Sequence, residues 1–98
     1  MGKLVRDNIP DIIRQDGREA VITVLEADYR TALLAKLFEK ATELNEASRA
    51  EVVEEIADVY EVLRALAAVH GHDWAEVEKL AATKREERGT FRDRLYLA

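Results

Sequence analysis

The 98-residue sequence predicts a mainly α fold: an antiparallel helical bundle with a short N-terminal helix and a small two-stranded β ribbon. Three observations predict it. Apolar residues recur at spacings of three and four over two long stretches joined by a short connection. Helix start and stop signals bracket those stretches and a third, shorter one. Two brief runs rich in β-branched and aromatic residues, one near residue 22 and one at the C-terminus, have the composition of strands.

Each element has a local reason. In "VRDNIPDIIRQDG", Asn8 stands where a helix cap is needed, Pro10 suits the first turn and Gly17 suits a stop. The following "EAVITVLE" reads as a strand through Val21, Ile22, Thr23, Val24 and Leu25, with "RLYLA" as its expected partner. From about Asp28 to Ala47, the residues Leu33, Leu34, Leu37, Phe38, Ala41 and Leu44 mark one face of a long helix. "SRAE" is a capping box, Ser48 with Glu51, and opens a second long helix. Its stripe is Val52, Ile56, Val59, Leu63 and Leu66, with Val62 and Val69 beside it, and Gly71 ends it. "DWAE", Asp73 with Glu76, starts a third helix that runs to Gly89.

Bulk composition narrows the function. Hydrophobic residues at 48% and charged residues at 36% describe a globular chain, spanning 1–98 as a single domain. A net charge of −5 argues against a general nucleic-acid binder. The absence of cysteine excludes disulfides, thiol catalysis and Cys-ligated zinc. "MGKLVRDNIP" has no apolar run of signal-peptide type, Arg6 stands where a myristoylation motif needs Ser or Thr, and no stretch approaches membrane length. A cytoplasmic protein without membrane contact is the expectation. A chain this short buries a modest fraction of its surface, so a homodimer or higher homo-oligomer is expected.

The informative residues are acidic. At about 100° per residue, Glu55 falls inside the apolar arc of the second long helix, and Asp58 falls on its margin. On the first long helix, Glu43 borders the apolar arc, with Lys40 between them and Glu39 on the far side. A carboxylate aimed at a core costs several kcal/mol unless cations or donors compensate it. If the two faces meet, Glu43, Glu55 and Asp58 converge, and oxygen ligands from facing helices suit Mg²⁺. A solvated charged helix surface is the competing reading of the same residues.

"LFEKATEL" followed by "EEIADVYEVLRAL" resembles the all-α nucleoside triphosphate pyrophosphohydrolases, which include the MazG-like proteins and the phosphoribosyl-ATP pyrophosphohydrolases. "KLVRDNIPDII" and "KREERGTFRDRLYL" extend the resemblance over essentially the whole chain, toward a small MazG-like subgroup. The family pattern is Glu-x-x-Glu on one helix and Glu-x-x-Asp on the next. Glu55 and Asp58 match the second half; Glu43 matches in the first half, and Lys40 stands where its partner carboxylate belongs. The resemblance implies Mg²⁺-dependent hydrolysis between the α and β phosphates, with Mn²⁺ as an alternative ion, giving a nucleoside monophosphate and pyrophosphate. It implies metal ligation by Glu43, Glu55 and Asp58, and a water-orienting carboxylate at Glu39 or Glu43. Phosphate contacts are expected from Lys84, Arg85 and Arg88, which could equally complement a helix C-terminus, and from Lys40.

Two further nucleotide readings compete with house-cleaning of non-standard nucleotides, beside that of a purely structural helical dimer. One is the phosphoribosyl-ATP pyrophosphohydrolase of histidine biosynthesis. The other is a nucleotide-binding or regulatory module weakened in catalysis, because Lys40 replaces an expected ligand. His70 and His72 flank Gly71 without a third ligand nearby and read as a polar helix junction. Trp74, Tyr29 and Tyr60 read as packing residues, and Arg92 and Arg94 as charges that protect a strand edge.

Overall fold

The computed structural model describes residues 2–25 and 27–98. Among these residues four helices form, in the order α1 (Ile9–Gln15), α2 (Tyr29–Glu46), α3 (Val52–Val69) and α4 (Trp74–Arg88). The chain divides into two compact units, Met1–Leu66 and Ala67–Ala98.

In the first unit, α1 carries Pro10 in its first turn and is followed by Gly17 at φ 76°, a left-handed position that suits glycine. Helix α2 starts after Asp28, which takes the left-handed φ of 60°. The carboxylate half of the capping box at "SRAE" forms: the Ser48 N–H donates to Glu51 Oε1 at 3.0 Å. Helices α2 and α3 run antiparallel. Lys40, late in α2, meets Asp58, early in α3, while Leu33, early in α2, shares a cavity wall with Val62 and Ala65, late in α3.

Only Leu33 and Val62 are buried apolar residues among the described ones, at 3% and 9% exposure. Burying a leucine of this kind contributes about 2 kcal/mol. Val62 was expected beside the stripe of α3, yet it is buried while Ile56 and Leu63 of that stripe are 51% and 40% exposed. The inner face of α3 is therefore rotated toward Asp58, Val62 and Ala65. Asp58 on that face carries partners from α2 and from the N-terminal segment.

In the second unit, α4 has no buried residue. Its start is held by the Asp73 N–H donating to Glu76 Oε1 at 3.1 Å, and its stop is Gly89 at φ 78°.

The expected β ribbon is absent: no strand occurs among the described residues. In "EAVITVLE", Glu26 lies outside the described residues, and Val21 and Val24 are 98% and 87% exposed. In "RLYLA", Leu95, Tyr96 and Leu97 are all exposed, and Arg94 takes a left-handed φ of 58°, which breaks an extended run at its first residue. β-propensity expresses fit to a half-buried pleated surface. Neither run packs on such a surface, so the composition produces extended or turning chain without a ladder. The edge-protecting role expected of Arg92 and Arg94 falls with the ribbon. No described helix is long and apolar enough to cross a membrane.

Candidate functional site: a carboxylate cluster threaded by cations

The facing sides of α2 and α3 have matching composition. On α2 the inner residues are Leu33, Lys36, Lys40 and Glu43; on α3 they are Glu55, Asp58, Val62 and Ala65. Each set steps by three, four and three residues, which keeps it on one helix face. Antiparallel packing sets the apolar ends together and the charged ends together. Glu43, Glu55, Asp58 and Lys40 are thereby gathered as the sequence predicts.

Lys40 lies at the centre of this cluster. Its Nζ is 2.9 Å from Glu43 Oε2 and 3.4 Å from Asp58 Oδ2, and its side chain is only 17% exposed. The other oxygen of Asp58, Oδ1, accepts from Arg6 Nη2 at 2.8 Å. Asp58 is thus held by one cation on each oxygen. Lys36, one turn before Lys40, pairs with Glu39 at 3.3 Å. Glu39, expected as a candidate water-orienting group, is directed into that local pair.

The two glutamates are driven in opposite directions. The Lys40 ammonium lowers the pKa of Glu43 through its hydrogen bond, with burial opposing it. Burial raises the pKa of Glu55, the negative charge of Glu43 adds to the rise, and Lys40 opposes it. Lys40 itself is raised, first by its hydrogen bond to Glu43, against burial and with help from Asp58. Two carboxylates whose surroundings separate their proton affinities are the usual arrangement for splitting acid and base roles. One oxygen of Glu55, Oε2, is buried with no hydrogen-bond partner among the described residues. An unpaired buried acceptor of this kind costs free energy that a cation or donor would recover.

The donor chemistry fits a hard divalent ion: three carboxylates, one with an unused buried oxygen. The ammonium of Lys40 meets part of the same demand. No group of three or more acidic, histidine or cysteine side chains among the described residues is placed to hold a metal ion.

Beside the cluster lies a cavity of about 490 Å³, bounded by the N-terminal segment, α1, α2 and α3. Arg6, Lys36, Lys40 and Asp58 line it, together with Tyr29 and an apolar wall that includes Ile12. Arg6 and Lys36 were not foreseen as site residues. Arg6 reaches Asp58 across 52 positions of sequence, a pairing that no periodicity reveals. For Lys36 a signal exists: it shares a helix face with Lys40 and Glu43.

The remaining candidates lie elsewhere. Lys84, Arg85 and Arg88 belong to the second unit and are exposed near the end of α4. His72 Nδ1 is 3.3 Å from Glu76 Oε2, at the start of α4. Tyr60 has the Arg64 guanidinium 5.9 Å from its ring centre.

A protein from Mycolicibacterium smegmatis, described only as uncharacterized, is 52% identical to this chain over 48 residues, which is 48% of this chain and 49% of the relative. The chain thus spans about half the length of that relative. No protein-family profile matches the chain, and no solved structure matches it.

Proposed function

We propose that the chain is a Mg²⁺-dependent nucleotide pyrophosphohydrolase that releases a nucleoside monophosphate and pyrophosphate. The observation that carries this reading is Glu55, whose Oε2 is buried without a donor among the described residues and whose carboxyl meets that of Glu43. A carboxylate turned toward a partly buried face against other acids costs stability unless a cation or donor compensates it. The resemblance of "LFEKATEL" and "EEIADVYEVLRAL" to the all-α pyrophosphohydrolases supports the same reading. Glu43, Glu55 and Asp58 would hold the ion, which supplies charge neutralisation for a polyphosphate and an acidified water. Glu43, kept ionised by Lys40, is the carboxylate suited to accept a proton from that water. House-cleaning of non-standard nucleotides is the proposed role, and Lys84, Arg85 and Arg88 remain proposed phosphate contacts.

One observation favours a second reading. The Lys40 ammonium already joins Glu43 and Asp58, so the site holds a cation of its own. On that reading the chain binds nucleotides and turns them over weakly or not at all. A pyrophosphate-release screen over a nucleotide panel, with Mg²⁺, with Mn²⁺ and with chelator, separates the two. Metal-dependent release supports the enzyme. Nucleotide binding without release from any member supports the module.

A homo-oligomer is proposed as well, supported by Ile56 and Leu63, which stay exposed on α3. Sedimentation as a monomer at working concentration would contradict it.

A further inference from the structure

We propose that the cavity beside the carboxylate cluster binds the nucleoside monophosphate part of the substrate, and that Arg6 is a substrate-binding residue there. On this proposal Arg6 exchanges its bond to Asp58 for one to the substrate phosphate. The inference rests on the nucleotide reading above and names the part of the molecule that recognises the nucleoside.

Size is the first argument. About 490 Å³ falls within the range of small-ligand clefts. The lining is the second. Ile9, Ile12, Leu33 and Val62 form an apolar wall, and Tyr29 adds an aromatic ring. A base with two flat faces uses such a wall, whereas inorganic phosphate or pyrophosphate leaves it unused. Charge is the third. The cations Arg6, Lys36 and Lys40 share the lining with the acids Asp7, Asp58 and Glu61. A phosphate entering this balanced set must take a cation away from an acid. Arg6 is the one placed to move. Its side chain is 56% exposed, and exposed ion pairs are worth little. Asp58 would not be stranded, because Lys40 stays at its other oxygen. The guanidinium can then meet a phosphate with two parallel hydrogen bonds, which an ammonium cannot do. Arg6 would therefore act as a latch on Asp58 that substrate opens.

The test is calorimetric titration of the full chain with nucleoside 5′-monophosphates, ribose 5-phosphate and inorganic phosphate, with chelator present. The proteins are the wild type, Arg6→Gln and Ala65→Leu, the last placing bulk on the cavity wall. The expected result is that at least one nucleoside monophosphate binds the wild type more tightly than either smaller anion. Arg6→Gln should weaken that binding about tenfold or more, the scale of a lost charge-assisted contact. Ala65→Leu should weaken nucleoside monophosphate binding while its melting temperature shows that it still folds. Equal binding of inorganic phosphate and nucleoside monophosphate would overturn the proposal. So would wild-type affinity in both variants, or no nucleoside monophosphate binding by the wild type. Failure of the hydrolase reading looks different: binding and its loss in Arg6→Gln would persist with no pyrophosphate released. Release with an unchanged KM in Arg6→Gln would instead keep the hydrolase and remove Arg6 from the site.

Discussion

The two charge-rich regions of this molecule are built on opposite principles. Around Lys40, charges come from the N-terminal segment, α2 and α3, and they are half-buried and bonded across elements. Around Lys84, Arg85 and Arg88, charges come from one helix in which no residue is buried. The first arrangement exists only because two helix faces meet. The second needs only a helix, whose C-terminal end favours cations in any case. Similar residue types thus carry different information: a cation held between elements reports on a site, and a cation at an exposed helix end reports on the helix.

The largest expected effect tests whether the first region is a site. Asp58→Asn keeps the shape and removes the charge that both Arg6 and Lys40 engage. Pyrophosphate release by this variant is expected to fall to background in a steady-state assay. Retained release would demote the cluster to a structural ion-pair network.

A second substitution compares the two regions in stability. Leu33→Ala empties the apolar end of the α2–α3 contact and is expected to cost about 2–5 kcal/mol in denaturant unfolding. Leu80→Ala in α4, at a residue 57% exposed, is expected to stay within about 0.5 kcal/mol. Equal losses would mean that α4 contributes a core of its own.

The same contrast explains what could be read in advance. The bounds of α2, α3 and α4 were legible to within a residue or a few, because Ser48–Glu51, Asp73–Glu76, Gly71 and Gly89 act on their own neighbours. Meeting of Glu43, Glu55 and Asp58 was legible because helical periodicity fixes which side chains share a face. The Arg6–Asp58 bond was not, since a contact across 52 residues leaves no local trace. The ribbon was misread for a related reason. Val21–Leu25 and Leu95–Leu97 have strand composition, but a strand needs a partner and a surface, and composition supplies neither. The stripe of α3 was displaced: Val62 is buried beside the paired Asp58, and apolar periodicity alone does not place a paired acid on the inner face.

A third substitution tests the ammonium itself. Lys40→Glu restores the fourth carboxylate of the family pattern and removes the cation between Glu43 and Asp58. Calorimetry is expected to show Mg²⁺ binding tightened by about tenfold, as ligand charge increases, with turnover raised. Weaker Mg²⁺ binding would show that Lys40 is a working part of the site and not a substitute for its metal.

The smallest effect is the most specific, because its sign depends on pH. Glu55 has a folded-state pKa above its ordinary 4.5, chiefly through burial and then through the charge of Glu43. A carboxyl raised in this way favours folding when protonated. Its contribution is fully present below the unfolded value and is lost as pH rises through the folded one. Above that range the ionised Glu55 carries a cost to stability. Glu55→Gln, neutral at every pH, is expected to melt above the wild type at pH 7, and the gap should close as pH falls into the carboxylate range. Glu51 and Glu76 have lowered pKa values and destabilise the fold as pH falls, but they do so in both proteins; Glu43, lowered chiefly by Lys40, also meets Glu55, so its part of the acid response belongs to the comparison. Added Mg²⁺ should raise the melting temperature of the wild type and not that of the variant. A Glu55→Gln protein that melts below the wild type at pH 7 without metal would mean that Glu55 earns its place in the fold. The case for a site would then rest on Asp58 and Lys40 alone.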